Sequence, residues 1–367
     1  MRARAVLLLL IVVGACAAAA PVASAAQSAP VRHVFVIMLE NENGATTFGP
    51  SSPAPYLAHT LTAAGAYVPG YYGIGHNSLD NYIAMISGQS PNLITQADCP
   101  VFMNVTPGTP ASAGQVLGQG CVYPASVKTV ADQLQAKGLS WKGYMEDMGN
   151  NPTRDNGTTC AHPAIGTPDQ TQQASATDQY ATRHNPFVYF HSIIDNPRNC
   201  SARDVPLSQL SADLRSASTT PNLSFITPNL CHDGHDATCA SGGPGGLTAA
   251  DAFLRQWVPA IRASAAYRRD GLLVIAFDEA ASDSTACCGE QSGPNTPAPG
   301  AQSGGPGGGR TGAVMLSPFI APGTVSNQNY NHYSLLRSIE DHFGLSHLGY
   351  AAASGLRPFG PDIFTRP

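Results

Sequence analysis

The stretch HVFVIMLENEN, residues 33–43, decides the fold. His33–Leu39 is an uninterrupted apolar run, which is typical of a strand buried on both faces of a parallel sheet. Polar residues follow at once, beginning with Glu40 and Asn41. Because ligands of open parallel sheets bind beyond the carboxyl ends of the strands, the polar end of this run is a candidate functional site.

Four further short apolar runs have the same character, at residues 141–145, 223–227, 272–277 and 313–316. Helix-like stretches such as residues 127–137 and 249–266 lie between them. Strands that alternate with helices predict an α/β fold with a mostly parallel central sheet sandwiched by helices.

The segment 282–310 is rich in Gly, Pro and Ser, and we interpret it as a long loop. A strand and a helix that suit the same sheet follow it, so we predict a single domain over residues 26–367. The polar, cysteine-bearing segments 89–125 and 150–175 are predicted insertions over one rim of the sheet.

Residues 1–25 have the character of a signal peptide, with Arg2 and Arg4 before an apolar run and a small-residue cleavage site at residues 23–25. A lipoprotein anchored through Cys16 is the alternative to a secreted protein. No later segment is long and apolar enough to cross a bilayer. Nineteen basic against 24 acidic side chains argue against a nucleic-acid partner held by phosphate contacts.

Cysteine usage agrees with export. Of nine cysteines, all but Cys16 follow the predicted signal, and an even number in an exported chain indicates disulfides. We predict the local pairs Cys99–Cys121 and Cys231–Cys239. For the adjacent Cys287 and Cys288 we expect two separate partners.

Polar side chains follow four of the predicted strands. In chain order they are Glu40 and Asn41, then Glu146 and Asp147, then His232, Asp233, His235 and Asp236, and finally Asp278 and Glu279. We expect them to meet at one edge of the sheet. The first and last sets offer only oxygen ligands, which suit a hard divalent cation, and such a cation would offset their mutual repulsion.

A nucleophile candidate lies in GIGHNSLDNYIAMISG, residues 73–88. Apolar residues at helical spacing predict a helix whose cap is Asn77, Ser78 or Asp80. A helix start directs free N–H groups outward and suits a phosphate. Taken alone, a serine at this position indicates an N-cap. Beside a carboxylate-rich metal site, Ser78 becomes a candidate nucleophile.

Six segments of the chain carry a resemblance: HVFVIMLENEN, HNSLDNYIAMISG, RHNPFVYF, ITPNLCHDGHD, FDEAASD and NHYSLLRSIEDHFGL. Together they resemble the phosphoesterase family, which contains bacterial phospholipases C and secreted acid phosphatases within the alkaline-phosphatase-like superfamily. The short serine segment is closer to the secreted acid phosphatases, including those acting on phosphatidylinositol 3-phosphate. Phospholipase C members usually carry ENRSFDHYFG where this chain has ENENGATTFG.

The resemblance implies an alkaline-phosphatase-like fold and a role for each matching residue. The metal ligands would be Glu40, Asn41, Asp278 and Glu279, with Ser78 both nucleophile and part of the metal site. Three histidines match positions near the phosphate: His184, His235 and His332. The metal would be Mg²⁺, Ca²⁺ or Zn²⁺.

These expectations together predict a secreted, metal-assisted phosphomonoesterase of the acid phosphatase type that forms a phosphoserine. Its substrate would be a phosphate ester, with phosphoinositides and other phospholipids as candidates. Two alternatives stay open at this point. One is a phosphodiesterase of the phospholipase C type, and the other is a cell-surface binding protein without catalytic activity.

Overall fold

The computed structural model describes residues 30–300 and 304–366. The predicted signal peptide, residues 1–25, and the alternative anchor Cys16 lie outside the described residues. Within the described ranges, no helix has the length and apolar character needed to cross a membrane.

One eight-stranded sheet forms the centre of the molecule. Its strands are β1 (His33–Leu39), β2 (Ala66–Val68), β3 (Trp141–Met145), β4 (Asp204–Pro206), β5 (Leu223–Thr227), β6 (Gly271–Phe277), β7 (Ala313–Leu316) and β8 (Thr324–Val325). Their spatial order is β8-β2-β7-β6-β1-β5-β3-β4. All pairings are parallel except those that β7 makes with β6 and β2. The mostly parallel sheet predicted from the sequence is confirmed.

The antiparallel direction of β7 follows from the path of the preceding loop. β6 ends at the carboxyl edge of the sheet, and the chain returns to that same edge at Arg310, whose carbonyl accepts a hydrogen bond from Gly44 N at 3.0 Å. The chain therefore enters β7 from the carboxyl edge and runs against β6. The apolar run predicted this strand's position, whereas its direction depends on where the loop ends.

Helices cover both faces of the sheet, as predicted. The longer ones are α1 (Ser78–Ser87), α2 (Val130–Ala136), α3 (Gly246–Ala263), α4 (Ala265–Asp270) and α5 (His332–Phe343). Side chains alternate along β1, so that Val34, Val36 and Met38 pack with α1, α2 and α5, while Phe35, Ile37 and Leu39 pack with α3. The predicted helix 249–266 is in fact two, because Ser264 adopts an extended conformation and caps α4 by accepting from Tyr267 N.

Shorter elements surround this frame. Helical turns are Gly44–Thr47, Tyr56–Leu61, Thr62–Ala64, Thr95–Ala97, Ser112–Gly114, Thr182–His184, Pro186–Tyr189, His191–Ile194, Pro197–Ser201, Leu207–Gln209, Leu210–Asp213 and Gly349–Ala352. Two-stranded pairs join Tyr71–Tyr72 to Tyr330–Asn331, Val101–Phe102 to Thr167–Pro168, and Thr106–Pro110 to Val116–Gln119. The second pair connects the two predicted insertions. The single domain over residues 26–367 stays a prediction.

Four disulfides tie the loops. The predicted pairs Cys99–Cys121 and Cys231–Cys239 are confirmed. Cys160 pairs with Cys200, so these two sulfurs and the neighbouring Asp204 are not a metal site. The expectation of separate partners for Cys287 and Cys288 is wrong, because the other described cysteines are paired among themselves and these two bond to each other.

Candidate active site

The ends of two adjacent strands bring the first carboxylates together. Leu39 of β1 is in register with Phe277 of β6, and the two strands are parallel. The next residues, Glu40 and Asp278, therefore leave the sheet side by side, and both are fully buried. The ends of β1 and β6 therefore meet at one edge of the sheet, as we expected for these two strands.

Ser78 lies directly against this pair. Asn77 precedes α1 with a φ of 77°, and Ser78 is the first residue of the helix. Its hydroxyl donates to Glu40 Oε2 at 2.7 Å. Tyr82, one turn later on the same face of α1, donates its hydroxyl to Glu40 Oε1. Both oxygens of the buried Glu40 carboxylate thus accept from α1.

Asp278 is fixed by backbone amides. Its Oδ1 accepts from Asn41 N at 3.0 Å and from Glu279 N at 2.7 Å. Its Oδ2 is buried without a hydrogen-bond partner. With its amide oriented to suit its neighbours, Asn41 donates to Glu279 Oε1 at 3.1 Å and accepts from His235 Nε2 at 3.1 Å. Glu279 also accepts from Asn81 Nδ2 of α1 at 3.3 Å.

His184 lies over the same carboxylates. Its ring stacks on Tyr82 with centroids 5.3 Å apart, which fixes its plane. Its Nε2 is 3.4 Å from Glu40 Oε2 and its Nδ1 is 3.7 Å from Asp233 Oδ2. Neither ring nitrogen has a hydrogen-bond partner of good geometry. Burial, then the nearby Arg183 and His235, hold the pKa of His184 well below its usual range.

His235 lies at the exposed side of the site. Its backbone N–H donates to Asp233 Oδ1 at 3.0 Å, and its Nδ1 is 2.9 Å from Asp236 Oδ1. Its side chain is 48% exposed, so the ring can reach a bound substrate from solvent. Asp233 itself is fully buried, and this burial raises the pKa of its carboxyl to about 7.

His332 occupies a different place from the one that the resemblance implied. Its Nε2 is 2.5 Å from the backbone oxygen of Asp278, and its Nδ1 is 3.0 Å from the Tyr71 hydroxyl. The ring is fully buried, and burial lowers the pKa of His332 to about 4. A neutral ring that donates from Nε2 and accepts at Nδ1 satisfies both contacts. The structure therefore places His332 behind Asp278, where it supports the turn after β6.

A polar cavity of about 160 Å³ opens on these side chains. Its lining residues are Glu40, Asn41, Asn77, Ser78, Asp98, Arg183, His184, His235 and Glu279. Except for His332, the predicted metal-site and catalytic residues all lie at this cavity or, in the case of Asp278, directly beside it.

Sequence reasoning missed Asn77, Asp98 and Arg183 in this lining. Asp98 Oδ1 accepts from Leu79 N in the first turn of α1 at 3.0 Å, and its Oδ2 is 3.8 Å from Arg183 Nε. Arg183 could have been found, because it directly precedes His184 in RHNPF. Asp98 gave no signal, since it lies in an insertion whose path the sequence does not define.

Glu146, Asp147 and His232 do not join the site. The Glu146 carboxylate is 3.0 Å from His232 Nδ1 and accepts from Asn229 N at 3.0 Å. These contacts fix the loop after β5, and Glu146 and Asp147 line a separate cavity of about 460 Å³. The expectation that all four strand ends meet is therefore wrong for β3, which is separated from β1 by β5.

The charge balance of the site favours a cation. Burial, then the carboxylates of Asp278 and Asp233, raise the pKa of Glu40 well above its usual range. Burial and the adjacent Glu279 do the same to the pKa of Asp278, whose Oδ2 lacks a partner. Oxygen donors that are buried, crowded and unpartnered suit a hard divalent cation. The residues present therefore fit a metal.

Comparison with known proteins decides the family. Residues 54–346, which make up more than half of the chain, match the phosphoesterase family. The chain belongs to the phosphoesterase family. The predicted class, the hydrolases acting on phosphoric ester bonds, is the one that the name of this family describes.

Two curated relatives show the range of this likeness. The phosphate-repressible acid phosphatase of Penicillium chrysogenum is 26% identical over 341 residues, covering 89% of this chain and 64% of that protein. The phosphatidylinositol-3-phosphatase of Mycobacterium tuberculosis is 25% identical over 331 residues, covering 90% of this chain and 83% of that protein. The chain thus spans just under two thirds of the Penicillium protein.

Solved structures are similar to this chain at low sequence identity. The crystal structure of Ps i-CgsB gives a TM-score of 0.52 at 12% identity, covering 92% of this chain and 77% of that one. A Vibrio parahaemolyticus protein of the alkaline phosphatase superfamily gives 0.47 at 14% identity, covering 91% and 73%. The first of these is a likeness of fold alone.

Proposed function

We propose that this protein is a metal-assisted phosphomonoesterase that uses Ser78 as its nucleophile. The observation that carries this proposal is the 2.7 Å hydrogen bond from Ser78 Oγ to Glu40 Oε2, in a cavity that Arg183, His184 and His235 also line. A hydroxyl beside a proton acceptor and positively charged or hydrogen-bonding groups is the arrangement that phosphoryl transfer to serine requires.

The residues of the chain divide the work between them. Ser78 Oγ attacks phosphorus as its proton passes to Glu40 Oε2, and the bond to the leaving oxygen breaks. His235 protonates that oxygen, and Arg183 binds the phosphate oxygens. Water then attacks the phosphoserine, gives a proton to His235 and releases Ser78, which regains its proton from Glu40. His184, whose ring stacks on Tyr82, lines the cavity with its Nε2 at 3.4 Å from Glu40 Oε2.

A divalent cation would be held by Glu40, Asn41, Ser78, Asp278 and Glu279. When bound, it supplies positive charge that lowers the pKa of a coordinated hydroxyl and offsets charge on the transferred phosphoryl group. The cation also relieves the repulsion among the buried carboxylates.

A monoester is favoured over a diester by the character of the cavity. A dianionic monoester needs more positive charge around it than a diester does, and Arg183 and the cation that the carboxylates would hold supply that charge around a space of only about 160 Å³. The names of the Penicillium and Mycobacterium relatives support a phosphomonoesterase, with phosphatidylinositol 3-phosphate as one candidate substrate. The four disulfides support action outside the cytosol, since such bonds persist in oxidising compartments.

The test compares Ser78→Ala with a control on the same helix. Ser87 ends α1, and its hydroxyl donates to Ile83 O at 2.6 Å, away from the cavity. We expect Ser78→Ala to lower turnover of para-nitrophenyl phosphate by at least about 10³-fold, as loss of a nucleophile does in serine hydrolases. We expect Ser87→Ala to leave turnover nearly unchanged.

Acid quenching of the wild type during turnover should trap a phosphate on the peptide that contains Ser78. Near-normal turnover by Ser78→Ala would contradict the assignment of the nucleophile. Faster hydrolysis of bis-para-nitrophenyl phosphate than of the monoester would instead indicate a phosphodiesterase.

A further inference from the structure

Exposed apolar side chains gather on the two insertions. In the described part of the chain, five large apolar side chains are exposed: Leu93 at 58%, Val101 at 38%, Leu117 at 45%, Ile165 at 44% and Val325 at 55%. The first four lie in the segments 89–125 and 150–175, and we call them the rim surface. Val325 belongs to the edge strand β8 and serves below as a control.

The residues of the rim surface belong to one connected structure. Leu93 N donates to Gln119 Oε1 at 2.9 Å, and Gln119 lies two residues from Leu117 on the same strand. Val101 pairs with Pro168 in the strand that follows Ile165. The disulfide Cys99–Cys121 joins these two halves.

The first insertion, which carries Leu93, Val101 and Leu117, also reaches the active site. Asp98, between Leu93 and Val101 in sequence, lines the cavity and binds the first turn of α1. Its backbone oxygen accepts from Gln172 Nε2 of the second insertion at 2.9 Å. A phosphate group bound at Ser78 therefore lies next to the structure that carries the exposed apolar side chains.

The first insertion also lacks charge. Asp98 is its only Asp, Glu, Lys or Arg between residues 89 and 125, whereas 12% of the whole chain is charged. In the second insertion Asp155 and Asp169 are buried and the Arg154 side chain is only 11% exposed, so both insertions expose little charge. Exposed apolar side chains on such a surface suit the interface of a lipid bilayer. The one charge of the first insertion faces the cavity, where it does not oppose such contact.

We propose that the rim surface inserts its apolar side chains into a lipid bilayer and thereby presents the cavity to a phosphate monoester on a membrane lipid. The second half of this statement rests on the proposed function, while the bilayer contact does not. Because the contact is apolar, a bilayer of neutral lipid is sufficient for binding, and salt does not weaken this binding.

The experiment measures sedimentation of the whole protein with phosphatidylcholine vesicles. We compare the wild type with Leu93→Ser/Leu117→Ser and with the control Val325→Ser. We expect the double variant to partition onto vesicles about tenfold less well, which corresponds to about 1.4 kcal/mol. We expect Val325→Ser to bind as the wild type does, at low salt and at high salt alike.

Turnover of para-nitrophenyl phosphate separates the two proposals. All three proteins should hydrolyse this soluble ester equally, which also shows that the variants fold. A wild type that binds vesicles but hydrolyses no monoester would support the docking surface and contradict the proposed function. The proposal that the rim surface binds a bilayer is overturned if the wild type does not bind phosphatidylcholine vesicles, or if Val325→Ser loses as much binding as the double variant. It is also overturned if light scattering shows that the wild type is a dimer and the double variant a monomer, because the surface would then bind a second copy of the chain.

Discussion

Arg183 provides the sharpest test of how the cavity binds phosphate. It is the only lysine or arginine among the described residues that line the cavity. Its side chain is 11% exposed, its Nε lies 3.8 Å from Asp98 Oδ2, and its Nη1 donates to Thr171 O at 3.4 Å. The backbone and Asp98 thus hold the guanidinium at the site before substrate arrives. We predict that Arg183→Met removes most of the affinity for phosphate while the protein still folds.

The size of the effect follows from these contacts. A hydrogen bond between charged groups contributes about 1.5–3 kcal/mol, and burial protects this one from screening by salt. Asp98 neutralises part of the positive charge, so we expect the lower part of that range. A loss of about 1.5–2 kcal/mol corresponds to a fall in kcat/KM of about 10- to 30-fold.

The assay is steady-state hydrolysis of para-nitrophenyl phosphate with inorganic phosphate as competitive inhibitor. We expect the inhibition constant for phosphate to rise by a factor similar to the fall in kcat/KM. Arg154 provides a matched control, because it is also 11% exposed and pairs with Asp155 and Asp178 at 2.6 and 2.9 Å, but does not line the cavity. Arg154→Met should lower the melting temperature and leave both constants nearly unchanged.

Removal of Arg183 also leaves Asp98 unpaired beside the substrate. Asp98→Asn in the Arg183→Met background separates this repulsion from the loss of direct contact, and it should recover only part of the affinity. If Arg183→Met changed kcat/KM and phosphate inhibition by less than about twofold, the guanidinium would not contact phosphate and the reasoning would be refuted.

Three further predictions concern the buried acids. Chelation should lower the melting temperature, and an added divalent cation should restore it, because a ligand at 100 times its Kd stabilises the folded state by about 2.7 kcal/mol. A melting temperature that does not change on chelation would contradict a metal bound at Glu40 and Asp278. Tyr82→Phe removes the hydroxyl that donates to Glu40 and should lower kcat by about 5- to 10-fold with little change in KM, as expected for a lost hydrogen bond of about 1–1.5 kcal/mol. A change in KM with kcat unchanged would show that this hydrogen bond does not act in the chemical step. Burial raises the pKa of Glu340 to about 8 from its ordinary 4.5, so its contribution to stability is fully present below pH 4.5 and is lost as the pH rises through 8. The melting temperature of the wild type should therefore fall relative to that of Glu340→Gln between pH 5 and pH 9. A difference between the two melting temperatures that stays constant over this range would contradict the raised pKa of Glu340.

The sequence predicted the frame well because local patterns carry it. Apolar runs located the strands at residues 141–145, 223–227 and 313–316 with the bounds that the structure has. Local spacing also indicated the pairs Cys99–Cys121 and Cys231–Cys239. The break at Ser264 and the direction of β7 were missed, since both depend on how a segment meets the rest of the chain and not on its own periodicity.

The site was predictable where it follows the strands of the sheet and unpredictable where it comes from loops. Glu40 and Asp278 are placed by β1 and β6, whose register follows from the sheet. Asp98 reaches the cavity through a path fixed by a disulfide and by contacts between two insertions, which no short pattern encodes. His332 matched a family position, but its role behind Asp278 depends on the Tyr71 hydroxyl, which lies 261 residues earlier in the chain.

The hydrogen bonds around Glu40 and Asp278 fix these carboxylates without neutralising them. Glu40 accepts from two uncharged hydroxyls, and Asp278 uses one oxygen for backbone amides and leaves the other without a partner. An asparagine at position 278 would accept the same two backbone hydrogen bonds at one oxygen and avoid the cost of burying a second charge beside Glu40. At position 278 the chain therefore carries an acid where a neutral amide would favour folding. Such a choice is explained if the charge itself is used, with a cation as the group that balances it.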